Sequence, residues 1–175
     1  MFLKYLKITK ENSVIRDIQF RKGINLIVDD SVGKITGNSV GKTTVLKLID
    51  FCFGANKKII WEDPENKKQD YTLVKNYLIE NAILITLCLT ENIDDENAPN
   101  IIIERNFISS DREVVRKING KSYTDKEFEP KLKEIFFPEN IAEKPTLRQI
   151  ISHNIRYEDL SLTSCNKIKI LWKNF

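Results

Sequence analysis

The run Thr36–Thr44, TGNSVGKTT, constrains this chain more than any other stretch of its sequence. It lies between an apolar segment, GINLIVDD from Gly23 to Asp30, and an apolar segment that begins at once with Val45. Ile24, Leu26, Ile27 and Val28 form a nearly continuous apolar run, as expected of a strand buried on both faces. Val45, Leu46, Leu48, Ile49, Phe51, Cys52 and Phe53 cover most of a helix's circumference, which predicts a buried helix from about Lys42 to Phe53 with Gly54 as its stop. A strand, a glycine-containing turn, then GK[ST] opening a helix is the context of a phosphate-binding loop. Without that context, GK[ST] arises by chance in about one chain in ten of this length.

The chemistry of such a loop assigns its residues. Backbone amides of Asn38, Ser39, Val40, Gly41, Lys42 and Thr43 would wrap a β-phosphate, helped by the partial positive charge of a helix N-terminus. Lys42 would reach the β- and γ-phosphates, and the Thr43 hydroxyl would ligate Mg²⁺. Gly41 leaves room where the backbone comes closest to phosphate. Gly37 and Thr44 complete the candidate site, with ATP and Mg²⁺ as the expected cofactors. The pattern GxxxxGK[ST] has Thr36 in place of its first glycine. An echo, SVGK at Ser31–Lys34, has no hydroxyl beside its lysine and reads as a decoy. LIVDD, at Leu26–Asp30, has the form of a Walker B strand but precedes the loop and reads as its feeder.

Elsewhere the chain reads as strands at Leu3–Thr9, Ser13–Phe20, Ala82–Thr90 and Ile101–Phe107, with a polar loop at Lys57–Asp70. Asn119-Gly120 predicts a hairpin turn. Thr124-x-x-Glu127 and Thr146-x-x-Gln149 are capping boxes that would open two further helices; Pro130 would interrupt the first of these or restart it. The expected organisation is 1–56 for nucleotide-binding strands, loop and first helix, 57–140 for an antiparallel β subdomain with hairpin and helix, its sheet a separate one from Ala82 to Tyr123, and 141–175 for a helical segment and tail.

Composition removes several classes of function. The 175 residues carry 28 basic and 25 acidic side chains, a net charge of +3 that does not by itself mark a nucleic-acid binder. The longest nearly unbroken apolar run, Ala82–Leu89, is too short to span a membrane, so no membrane partner is expected. Cys52, Cys88 and Cys165 form no C-x-x-C pair and point to reduced thiols in a cytoplasmic setting. A lone histidine, His153, argues against His-based metal sites and a Ser-His-Asp triad. Arg16 and Arg21 are candidate nucleotide contacts or solvated side chains, and the pairs Lys57-Lys58 and Lys67-Lys68 are interleaved with acids.

The segment FRKGINLIVDD…TGNSVGKTTVLKLIDFCFG, with the later ING hairpin and its helix, resembles the N-terminal half of ABC-type ATPase heads of the SMC, RecN and RecF kind. It is most similar to bacterial SMC-like ATPases of three-component ABC-type systems, several of them implicated in phage defence. The resemblance implies an α/β fold: a P-loop NTPase N-terminal lobe of ABC/SMC-head type with an antiparallel β subdomain. It also implies ATP and Mg²⁺ binding, a second ATPase head as homodimer partner, partner proteins, DNA as a further candidate partner, and a coiled coil in the full-length protein. Gln149 falls where such heads place a Q-loop glutamine that helps hold Mg²⁺ and the attacking water; the local alternative is its place in the TLRQ capping box. The extra residues DDSVGKI depart from the family pattern, and no LSGGQ-like signature, later Walker B or heptad run is present. On this reading the chain is an N-terminal lobe that binds ATP without efficient hydrolysis, and the tail CNKIKILWKNF suggests a truncated or altered reading frame. The rival readings are a self-contained P-loop kinase or NTPase and a non-catalytic interaction module with a degenerate loop.

Overall fold

A computed structural model describes residues 1–11, 13–27, 41–63, 69–109 and 113–155. Six strands form one antiparallel sheet in the order β2-β1-β3-β4-β5-β6. They are β1 (Phe2–Lys10), β2 (Ser13–Gln19), β3 (Leu84–Thr90), β4 (Asn100–Asn106), β5 (Arg116–Ile118) and β6 (Lys121–Ser122). Four α-helices accompany them among the described residues: α1 (Lys42–Cys52), α2 (Thr72–Glu80), α3 (Asp125–Phe136) and α4 (Leu147–Asn154). The fold is therefore mixed α/β. No helix among the described residues is long and apolar enough to cross a membrane.

The period-two alternation of the strands explains the sheet's two faces. Leu6 on β1 pairs with Leu87 on β3, Leu87 with Ile103 on β4, and Ile103 with Ile118 on β5, and all four are buried. Leu3 pairs with Leu89 in a parallel row one step away. On the other face Thr86 pairs with both Lys7 and Glu104, while Cys88 pairs with Tyr5 and Ile102, so that face mixes polar and apolar side chains. Helix α1 packs on the apolar face with Leu46, Leu48, Ile49, Phe51, Cys52 and Phe53 buried. Phe128 and Leu132 of α3 and Leu147 and Ile151 of α4 join the same core.

Local signals are realised as hydrogen bonds. Asn119 and Gly120 take positive φ of 48° and 77° in the β5–β6 turn. The Asn119 side chain also accepts from the Ile102 amide at 2.7 Å, fastening the turn to β4. Both capping boxes form: the Thr124 amide donates to Glu127 Oε2 at 3.1 Å, and the Thr146 amide to Gln149 Oε1 at 2.8 Å. Helix α3 runs through Pro130 without interruption, so the restart expected there does not occur.

Two expectations are corrected. Residues 24–27 of the expected central strand Gly23–Asp30 adopt no strand, and Ile24 and Leu26 stand 89% and 80% exposed. An apolar run becomes a strand only beside a hydrogen-bonding neighbour, and among the described residues none lines these. Instead Asn25 closes a local loop, accepting from the Arg21 amide and donating to the Arg21 carbonyl, both at 2.8 Å. Second, the strands from Ala82 to Tyr123 do not make a separate sheet, because β1 pairs directly with β3. Cross-strand pairing of Leu6 with Leu87 and Ile8 with Ile85 favours one continuous apolar face over two small ones.

Helix α2 has no counterpart in the sequence reading. Val74, Tyr77 and Leu78 carry the helical spacing that could have revealed it. It buries no residue fully, which explains the weak signal.

Candidate functional site

Of the expected phosphate-loop residues, Gly37, Asn38, Ser39 and Val40 lie outside the described residues, as do Thr36 and the echo lysine Lys34. Gly41, Lys42, Thr43 and Thr44 are brought together at the start of α1. Gly41 is the N-cap, with φ 76° and ψ 15°. That left-handed conformation suits glycine and strains any residue with a Cβ. The first ladder bond runs from the Val45 amide to the Gly41 carbonyl at 3.2 Å. The amides of residues 42–44 therefore lie outside the helical ladder, and among the described residues no side chain caps the helix. No acidic residue occupies the first turn, and Thr43 and Thr44 are exposed. Such an end presents donors and partial positive charge, with no acidic residue in the helix's own first turn.

The opposite end of α1 is held tightly. The amide of Gly54, at φ 99°, donates to Phe51 O, and the Ala55 amide donates to Asp50 O, both at 3.1 Å, which is a Schellman closure. Arg105 of β4 donates through Nη1 to the carbonyls of Phe51 and of Ala55, the latter at 3.1 Å. Burial lowers its pKa to about 10, with smaller contributions from Arg116 and Arg148, so it stays charged at neutral pH. A cation at a helix C-terminus is favourable, and here it comes from a strand because the last turn has no basic residue of its own. Asp50 sits in that turn, buried, where a carboxylate is unfavourable; Arg148 of α4 meets it with two hydrogen bonds, at 2.6 and 3.1 Å. Neighbouring Cys52 is buried, which pushes its thiol pKa up to about 12.

The chain matches no protein-family model, and no curated protein matches it.

The remaining candidates fall elsewhere. Gln149 opens α4, and its side chain serves the capping box with Thr146; among the described residues it shares no hydrogen bond with residues 41–44. His153 lies exposed on α4, and a shallow depression beside it is lined by Lys144, Pro145, Gln149 and Asn154. Arg16 is exposed on β2, opposite Ile8. In the sequence Lys57 stands out only as one of a lysine pair interleaved with acids. The fold turns it inward, where Nζ donates to the Phe107 carbonyl at 3.0 Å and to the Ser109 hydroxyl. Burial, then Arg105 and Arg116, lower its pKa. Arg105, Asp50 and Arg148 carried no sequence signal, because what pairs them is separation in the chain closed by the fold.

Proposed function

We propose that this chain is the ATP-binding lobe of an SMC-like ABC-type ATPase, with the phosphates of Mg-ATP seated at the start of α1. The observation that carries the reading is the GKTT sequence at a helix start whose N-cap, Gly41, is left-handed, with no side-chain cap among the described residues. The donors there fit a phosphate, since the amides of residues 42–44 lie outside the helical ladder and no first-turn acid opposes an anion. In this reading Lys42 meets the β- and γ-phosphates and Thr43 ligates Mg²⁺, while the loop from Gly37 to Val40 wraps the β-phosphate. Gln149 would exchange its bond to Thr146 for the metal. Hydrolysis belongs to the assembled head, with a second head and partner proteins, in DNA repair, DNA maintenance or phage defence.

Equilibrium titration with a fluorescent ATP analogue and Mg²⁺ tests the reading. Saturable binding is expected for the intact chain. Lys42→Ala should weaken it by on the order of 1.5–3 kcal/mol, the loss of a charge-assisted contact. Lys34→Ala should bind as the parent does. Absence of saturable binding by the folded chain, or equal losses from both substitutions, overturns the reading.

A further inference from the structure

We propose that the ion pair between Asp50 on α1 and Arg148 on α4 couples nucleotide occupancy at the start of α1 to the stability of α4. This rests on the nucleotide reading above and extends it to regulation of that same site.

Asp50 and Arg148 are 98 residues apart in the chain and meet in a bidentate pair, Nη1 to Oδ1 at 2.6 Å and Nη2 to Oδ2 at 3.1 Å. The Asp50 side chain is 4% exposed and that of Arg148 29%. The planar fork of an arginine fixes orientation as well as distance. Such a buried pair contributes little net stability, because desolvation offsets the attraction; its best-attested use is to set register or to act in a switch. Asp50 lies two turns beyond Thr43, about 10 Å along a rigid helix. Order imposed on the first turn by a bound anion is thus carried by the intervening hydrogen-bond ladder to the carboxylate.

Arg148 is well placed to pass that restraint on. Its amide donates to Glu129 Oε1 of α3 at 3.2 Å, and its Cδ lies against Gly54, 3.6 Å from where a Cβ would stand. One residue at the root of α4 therefore touches the end of α1 and the flank of α3. Beyond it, α4 is anchored by Leu147 and Ile151 while Gln149, Ser152 and His153 face solvent. A short helix with two buried anchors opens readily, so its exchange rate will respond to a change at its root.

Hydrogen exchange of the full chain, with and without saturating Mg²⁺ and a non-hydrolysable ATP analogue, tests this. Nucleotide should slow exchange in peptides of residues 41–52 and also, by about fivefold or more, in peptides of residues 147–155, the low end of usual coupling between sites. Arg148→Met should retain the first protection and lose the second. Asp50→Asn, which keeps shape and removes charge, provides the same comparison should the arginine variant not fold. Protection of α1 with unchanged exchange in α4, or undiminished protection of α4 in whichever variant keeps the parent circular-dichroism spectrum, overturns the coupling and leaves nucleotide binding standing. No protection at either place overturns the nucleotide reading and the coupling with it.

Discussion

The guanidinium of Arg105 lies 4.1 Å from the centroid of the Phe51 ring and also donates to the Phe51 backbone carbonyl. One side chain thus meets both the aromatic core and the polar end of α1. Phe51 in turn stacks on Phe107 at 4.6 Å, and Trp61 stands edge-on to Phe107 at 5.9 Å. The far end of the candidate nucleotide helix is in this way built into the aromatic core.

Removing that guanidinium should be costly. Arg105→Leu keeps the packing against Phe51 and leaves the Phe51 carbonyl with the Gly54 amide, but it strips the guanidinium donor from the Ala55 carbonyl. A buried acceptor left unsatisfied costs about 1–3 kcal/mol. Urea unfolding should show a lower midpoint with unchanged slope. A variant as stable as the parent would mean that the Ala55 carbonyl finds an equivalent donor without Arg105.

At the near end, Gly41→Ala should destabilise by about 1–2 kcal/mol, the cost of a left-handed residue with a Cβ. Space is not the obstacle, since the nearest atoms to a Cβ there are those of Thr44 at 3.9 Å. The substitution should also weaken nucleotide binding, because relief of the strain rotates the first-turn amides. Thermal unfolding and the ATP titration measure the two effects separately. An unchanged melting temperature would show that the left-handed N-cap is not required.

Stability should fall in mild alkali. Cys52 has an ordinary pKa of 9.0 that burial raises to about 12 in the fold. A raised pKa means that the folded state holds its proton where the unfolded chain has lost it. The contribution is therefore complete below pH 9 and is lost as pH rises toward 12, by about 1.4 kcal/mol per unit for this thiol. Cys52→Ala should flatten that part of the profile of urea midpoint against pH. An equal slope in the variant would assign the alkaline loss to other groups.

The chain by itself should bind Mg-ATP without steady turnover. Phosphates and metal can be positioned at a helix start, but transfer to water also needs a group that orients the nucleophile. No segment after Gly54 has the form of a Walker B strand with its following glutamate. Phosphate release under saturating Mg-ATP measures this. Sustained release that disappears in Lys42→Ala would place the catalytic group within this chain.

Elements governed by neighbouring residues were legible in the sequence. The helix at Lys42–Cys52, its stop at Gly54, the Asn119-Gly120 turn and both capping boxes depend on contacts four or fewer residues apart, and each is found where its residues stand. The strands β1 to β4 were legible for the same reason, since alternation is a local property. Helix α2 was missed because most of its residues are exposed, Leu73, Val74 and Tyr77 among them, so no buried apolar stripe marks it in the sequence.

Composition and pattern alone determined that the chain forms a mixed α/β fold with a helix that starts at the GKTT sequence. The tertiary structure decided what no short window contains. It placed β1 against β3, so that one sheet replaced the two expected, and it left Ile24–Ile27 without a strand partner among the described residues. It also brought Arg105 and Arg148 to the end of α1 across 50 or more residues of chain. Periodicity reports which side of an element is apolar, but not which element covers it. That choice is made by burial and hydrogen bonding summed over the whole core, and so it appears only once the chain has folded.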